Sequence, residues 1–230
     1  TNQRVIGAVR CYVSATTADQ ASLEMRIINQ YGYSVYSRTI RATKLSHESL
    51  VDIPFEILDP ALWSPLTPNM YRVEVALNDG VHKDVVTVNT GFRKVSITKD
   101  NRLCINGKEC DVRGVNYAHD RKGYGMAMEL AHLQEDFNMM RDMGANAIRS
   151  LSGPHHSELY NWCDTSGVLS WIDIPFTRSP IAFSDICYYP SAELINNGVE
   201  QLEDIIYQNF NHPSVVMWGV FSLVWQPGED

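Results

Sequence analysis

Near residue 90 the hydrophobic pattern of this 230-residue chain changes period. Before Thr90-Gly91-Phe92-Arg93, apolar and polar residues alternate in short runs. After Asn116, runs with helical spacing alternate with short β-branched ones. A period of two places successive side chains on opposite faces of a strand, and a period near 3.6 gathers them along one side of a helix. One layered core does not accommodate both regimes in succession, so the pattern predicts two domains, residues 1–92 and 93–230.

In the first half the expected strands are Val9–Ala15, Ser22–Asn29, Tyr33–Ala42, Ser49–Phe55, Tyr71–Leu77 and Lys83–Val88, separated by Asn, Gly, Asp and Pro. Short, regularly spaced strands with turn chemistry between them predict an immunoglobulin-like antiparallel β-sandwich, though without the Cys-Trp-Cys arrangement of antibody domains. Prolines hold the segment from Leu58 to Tyr71 extended, and Trp63 and Tyr71 are its expected packing anchors.

The second half opens with a hairpin at Asn106-Gly107, a strong turn signal between apolar runs. Val112–Asn116, Ala145–Arg149, Val168–Ile174 and the run after Pro213 read as strands. Between them lie three helices. The first, from Glu129 to Met143, carries Leu130, Leu133, Phe137, Met140 and Met143 on one stripe. The second, capped by Ser157 and stopped by Gly167, turns Leu159, Trp162 and Cys163 inward. The third, Ala192 to Phe210, is capped by Ser191 and buries Ile195, Val199, Leu202, Ile206 and Phe210. Strands and helices in alternation predict parallel βαβ units with right-handed crossovers, and four of them make the first half of a TIM (β/α)8 barrel. An open half-barrel leaves unpaired edges and an uncovered inner face, so either the natural chain continues beyond Asp230, the favoured reading, or halves self-associate.

A formal charge of -8 argues against a nucleic-acid partner, whose phosphates need a basic surface. No run approaches the ~20 apolar residues of a membrane-spanning helix. The five cysteines show no Cys-x-x-Cys spacing, and Cys104 and Cys110 fall on opposite faces of the hairpin, so free thiols are expected. The adjacent His155-His156 lack converging partners for a metal, and no cofactor is implied.

Parallel barrels place their chemistry at the C-terminal strand ends. Those ends carry Asn116, His119, Asp120, Arg121, Arg149, Ser152, Asp173, Trp218, Ser222 and Trp225, with Glu229 and Asp230 beyond. Aromatic rings beside carboxylates and an arginine suit a sugar, whose rings have apolar faces and hydroxyl edges. Each residue also has a plainer reading: Arg149 in a buried ion pair, Asp120-Arg121 as a local loop pair, Asp173 as a structural or orienting carboxylate.

The run Asn211-His212-Pro213-Ser214, a hydrophobic stretch and Trp218 resembles the fourth barrel strand of glycoside hydrolase family 2, the β-galactosidase and β-glucuronidase family. Leu62-Trp63-Ser64-Pro65 with Tyr71, the junction Gly91-Phe92-Arg93, Arg113-Gly114-Val115-Asn116, Asp120-Arg121, Asn146-Ala147-Ile148-Arg149 and Asp173-Ile174-Pro175-Phe176 are similar to further family motifs. The family His of the loop after the first strand falls near Ala118 or His119. The resemblance implies retaining hydrolysis of terminal β-galactosides or related β-glycosides, with one carboxylic acid protonating the leaving oxygen and a second attacking the anomeric carbon. It also favours a periplasmic or secreted setting. Two departures stand out. The family's Asn-Glu after the Trp, its sugar-holding Asn and general acid/base, is here Ser222-Leu223, and its His-Tyr-Pro is Ser152-Gly153-Pro154. The family nucleophile lies on a later strand. The expectation is therefore a fragment without an intact catalytic pair, inactive alone. The substrate-binding candidates are Asn116, His119, Asp120, Arg121, Arg149, Asp173, Trp218 and Trp225; the alternatives are a non-catalytic carbohydrate-binding or interaction module that keeps Trp218, Trp225, Asp120 and Arg149 as a sugar platform, or a longer enzyme in which another carboxylate replaces the acid.

Overall fold

The computed structural model describes residues 3–14, 21–41, 49–151, 153–175 and 192–220. The chain divides into two compact units, Thr1–Trp63 with Asn69–Arg93, and Ser64–Pro68 with Lys94–Asp230.

The first unit is built from β1 (Arg4–Val13), β2 (Ser22–Asn29), β3 (Ser34–Arg41), β4 (Ser49–Leu58), β5 (Tyr71–Asn78) and β6 (Lys83–Thr90). β1 and β4 form one antiparallel sheet, and β3-β2-β5-β6 form the other. Alternation on β2 sends Leu23, Met25 and Ile27 inward to meet Ile53 and Ile57 of β4 and Tyr71 and Val73 of β5. β1 begins five residues before the sequence predicts, because Arg4 pairs with Leu58 and the ladder runs through Gly7 opposite Phe55. Gly7 is required there: a Cβ would stand 2.8 Å from the Phe55 ring. β4 passes through Pro54 and ends at Leu58 rather than Phe55. Among the described strands it pairs with β1 alone, and an edge position tolerates a missing donor. Trp63 is fully buried and its N–H donates to the Phe92 carbonyl (2.8 Å), while the Ala61 N–H donates to the Tyr71 hydroxyl (2.8 Å), so both anchors act as expected.

In the second unit β7 (Val95–Ile97), β8 (Leu103–Ile105) and β9 (Lys108–Glu109) form a small sheet whose turn, Asn106-Gly107, has positive φ at both residues (54° and 79°). Cys104 and Cys110 are free thiols, Cys104 buried and opposite Glu109; Cys187 lies outside the described residues.

Then follow β10 (Gly114–Tyr117), α1 (Leu130–Asp142), β11 (Ala147–Ser150), α2 (Ser157–Ser166), β12 (Leu169–Asp173), α3 (Ala192–Asn209) and β13 (Val215–Gly219). The four strands pair in parallel in chain order, β10-β11-β12-β13, as the opening of a (β/α)8 barrel does. Leu133, Phe137 and Met140 of α1 bury against Ile148, Leu159 and Cys163, whereas Leu130 and Met143 at the ends of the predicted stripe are exposed. The cap of α2 is His156, whose Nδ1 accepts from the Glu158 N–H (3.2 Å); Ser157 is already the first helical residue. Gly167 ends α2 at φ 72°, where a side chain would also collide with the Pro65 carbonyl. On α3 the buried residues are Gly198, Ile205 and Asn209, with Leu202 and Ile206 half-buried. Ile195, Val199 and Phe210 are exposed, because the helix is rolled so that Gly198 rather than its branched neighbours is turned inward. Ser191 lies outside the described residues. At the N-terminal end of β13, buried Asp164 accepts from His212 Nδ1 (2.6 Å) and from the Ser214 N–H (3.0 Å), which fastens the Asn-His-Pro-Ser run to α2.

Candidate functional site

The parallel register decides which side chains share the inner face of the sheet. Asn116, Arg149, Trp171 and Met217 stand in one row, and Asp173 stands beside Gly219 at the C-terminal end. Arg149 Nε reaches both carboxylate oxygens of Asp173 (3.2 and 3.0 Å), and Nη2 lies 3.0 Å from Oδ2. Asp173 has no accessible surface, while the Arg149 side chain keeps 26% of its own. The guanidinium carbon sits 4.4 Å from the centre of the Trp171 ring, a stacked cation–π contact. Gly219 closes the arrangement: a Cβ there would collide with Asp173 Oδ1 and approach Trp171 Nε1 to 2.6 Å. Arginine thus holds both oxygens of this buried carboxylate with charge-assisted hydrogen bonds.

A second cluster lies on the helix side. The Tyr117 hydroxyl donates to Asp136 Oδ2 (2.8 Å), and Arg121 spans Glu135 (2.7 Å) and Asp136 (3.6 Å) of α1. The His119 ring packs 5.3 Å from His155, whose Nε2–H donates to the Tyr117 carbonyl (2.8 Å). Burial is the main cause that lowers the pKa of both imidazoles; the nearby His156 ring adds to this at His119, and the His119 ring adds to it at His155. Burial and Asp136 raise the Tyr117 hydroxyl far above its ordinary value.

Of the strand-end residues singled out from the sequence, Asn116, Arg149 and Asp173 come together. Arg121 does not join them, because its guanidinium is bound to the α1 carboxylates. His119 packs with Tyr117 and His155, and Asp120 lies exposed on the same loop. Trp218 is not a platform beside Arg149: it pairs in register with Ile172 and packs into the cluster of Tyr160, Ile172, Ile205 and Val215 between sheet and helices. Ser152, Ser222, Leu223, Trp225, Glu229 and Asp230 lie outside the described residues. The sequence reading passed over Trp171 and Gly219. Trp171 stands two residues before Asp173 on one strand, a spacing that puts both on one face.

The profile described as "Glycosyl hydrolases family 2, TIM barrel domain" matches residues 95–222, and "Glycosyl hydrolases family 2" matches residues 4–93. The chain belongs to glycosyl hydrolase family 2. Among its relatives in that family, a β-glucuronidase of Bacteroides fragilis is 32% identical over 217 residues, 93% of this chain and 31% of the relative. A β-galactosidase of Photobacterium profundum is 29% identical over 178 residues, 76% of this chain and 17% of the relative. In structure, the family-2 chain superposes on Bacteroides uniformis β-glucuronidase 2 with a TM-score of 0.82 at 27% identity, covering 95% of this chain and 26% of the other. It therefore spans about a third or less of the length of these family-2 relatives.

Proposed function

We propose that this family-2 chain binds the non-reducing end of a β-galactoside or related β-glycoside at the C-terminal ends of β10 to β13, and that it does not by itself hydrolyse the bond. The observation that carries the binding reading is the Arg149–Asp173 pair, stacked on Trp171 and lodged against Gly219 beside Asn116. The Arg149–Asp173 pair is preorganised, so the remaining guanidinium donors meet sugar hydroxyls without reordering, and the exposed Asn116 amide stands next to them in the row. Names of relatives support the ligand class: β-glucuronidase and β-galactosidase. The reading of inactivity rests on Leu223, which stands where the family has its general acid. An alkyl side chain has no proton to give, and loss of a positioned acid forfeits ~10²–10⁴ in rate. We propose the two domains as residues 1–92 and 93–230, and self-association of the chain through the open parallel sheet.

The test is turnover of an aryl β-galactoside and an aryl β-glucuronide by the purified chain, with calorimetric titration of galactose and glucuronate. No turnover is expected, together with weak binding that Asp173→Asn abolishes. Turnover would overturn the inactive reading, and binding untouched by that substitution would overturn the placement of the site. A purely non-catalytic binding module is the second reading, favoured by the same Leu223; Leu223→Glu in a longer chain that includes the later strands separates the two by whether activity appears.

A further inference from the structure

We infer that the sandwich unit carries a binding cleft of its own for a neutral saccharide, apart from the face that holds Arg149. The cleft has a volume of about 530 Å³ and is lined from Asn29 to Tyr31, from Glu56 to Ala61 and from Asn69 to Tyr71. That volume falls within the ~300–1,000 Å³ of ordinary small-ligand sites. Its floor is apolar and close-packed, with Ile57 and Tyr71 at 4% exposure.

The rim is polar and held in place. Asn29 Oδ1 accepts from the N–H groups of Tyr31 and Tyr33, which fixes the hairpin tip and presents Tyr31 with 74% of its surface exposed. The Gln30 side-chain amide donates to Asn69 Oδ1 (2.8 Å), and Asn69 Nδ2 donates to the Leu62 carbonyl (2.9 Å), so two amides from separate segments are locked at one edge. Asp59 adopts φ 45°, a left-handed conformation costly for a non-glycine residue, and its backbone and side chain both bond to Gln3. Strain of this kind persists where surrounding structure imposes it, and it gathers at ligand sites.

The chemistry of the lining selects the ligand. An exposed phenol ring beside an apolar floor fits the C–H face of a pyranose, and fixed amides offer paired donors and acceptors to vicinal hydroxyls. Among the described residues no lysine or arginine lines the cleft, which disfavours uronates, phosphates and other anions. Its two carboxylates are already engaged, Glu56 by Arg4 (3.6 Å) and Asp59 by the Gln3 N–H (3.2 Å), which lowers their claim on a cationic ligand. A neutral, hydroxyl-rich ring remains. The choice of a saccharide over other polyols rests on membership of a glycosidase family; the location rests on the cleft alone.

Saturation-transfer NMR and calorimetry on the full 230-residue chain test this, with cellobiose and mannobiose as neutral probes, glucuronate as the anionic probe and lysine amide as the cationic one. One of the neutral disaccharides is expected to bind at millimolar concentration. Tyr31→Ala should weaken it about tenfold and Tyr31→Phe should preserve it, since the ring face and not the hydroxyl carries the contact. Tyr31 is exposed, so neither substitution threatens the fold. Gln30→Ala should weaken binding as well. Silence of both disaccharides, a preference for glucuronate or lysine amide, or binding indifferent to Tyr31→Ala would overturn the inference. Binding lost in Asp173→Asn but unchanged in Tyr31→Ala would overturn it while leaving the strand-end reading standing.

Discussion

Arg149 and Asp173 form one ion pair, yet the loss of each should cost a different amount. Asp173 has no accessible surface, so removing Arg149 takes the charged partner from a buried carboxylate; such losses run to ~3–5 kcal/mol. Arg149 keeps part of its surface and can rehydrate when Asp173 is removed. Urea unfolding should therefore find Arg149→Met more destabilising than Asp173→Asn, and the double variant less destabilising than the sum of the two. Equal and additive losses would show that the pair does not act as a unit. The two neighbouring imidazoles give a second expectation. His119 and His155 both titrate below the usual histidine value in the folded chain, chiefly through burial, with His156 lowering and Asp136 raising His119, and the Tyr117 carbonyl raising His155. Above about pH 6.5 both rings are neutral folded and unfolded. As pH falls below that, the unfolded chain takes up protons first, so stability present above pH 6.5 is lost as pH falls through the lower folded values. Chemical-denaturation midpoints across this window should decline, and the double change His119→Gln with His155→Gln should flatten the decline. An unchanged slope would mean that other groups carry it.

At the scale of elements, local signals succeeded where one interaction decided the outcome. Asn106-Gly107 turned as expected because positive φ at both positions leaves a two-residue hairpin few other residues to use, and β2 runs over the predicted Ser22–Asn29 because alternation against a buried face fixes the register. The start of α2 was misplaced by one residue because an imidazole nitrogen can accept like a hydroxyl, and only the fold shows that His156 Nδ1 faces the Glu158 N–H. Thermal unfolding can tell the two assignments apart. His156→Ala should cost ~1 kcal/mol, the worth of a lost cap, and Ser157→Ala close to nothing; the reverse order would restore Ser157 as the cap. The stripe on α3 was misread for a related reason. Helical spacing identifies an apolar line, but Ile195 and Val199 show that such a line need not face the strands. The same limit touched the site: Arg149 and Asp173 followed from strand ends, whereas the placement of Arg121 depends on a loop folding back to α1 and that of Trp218 on the β12/β13 register, which shifts between Ser170 and Trp171.

For the whole molecule, the alternation of period was enough to specify an antiparallel sandwich and a parallel sheet in chain order, because each element can bury its apolar side only against a neighbour of the right kind. That logic also predicts how the isolated chain behaves in solution. Among the described strands, β10 and β13 each have one partner in their sheet, so each leaves a row of backbone donors and acceptors without a strand beside it. The inner face between them carries an apolar hollow of about 310 Å³ lined by Leu103, Val112, Ala147, Leu169, Trp171 and Met217. On the helix side Met143, Ile195, Val199 and Phe210 are exposed. Burying apolar surface yields ~25 cal/mol per Å², so covering the open edges and the apolar inner face with a second copy favours association. The net charge of -8 opposes association weakly and is screened by salt. Light scattering of the 230-residue chain should accordingly show a mass that rises with protein concentration and rises further with added salt. Replacing Met217 with Lys on the inner face should shift the population toward the monomer without loss of the sandwich circular-dichroism signal. A single monomeric mass across the concentration range would show that the parallel sheet is covered from within the chain, and self-association would then have no basis.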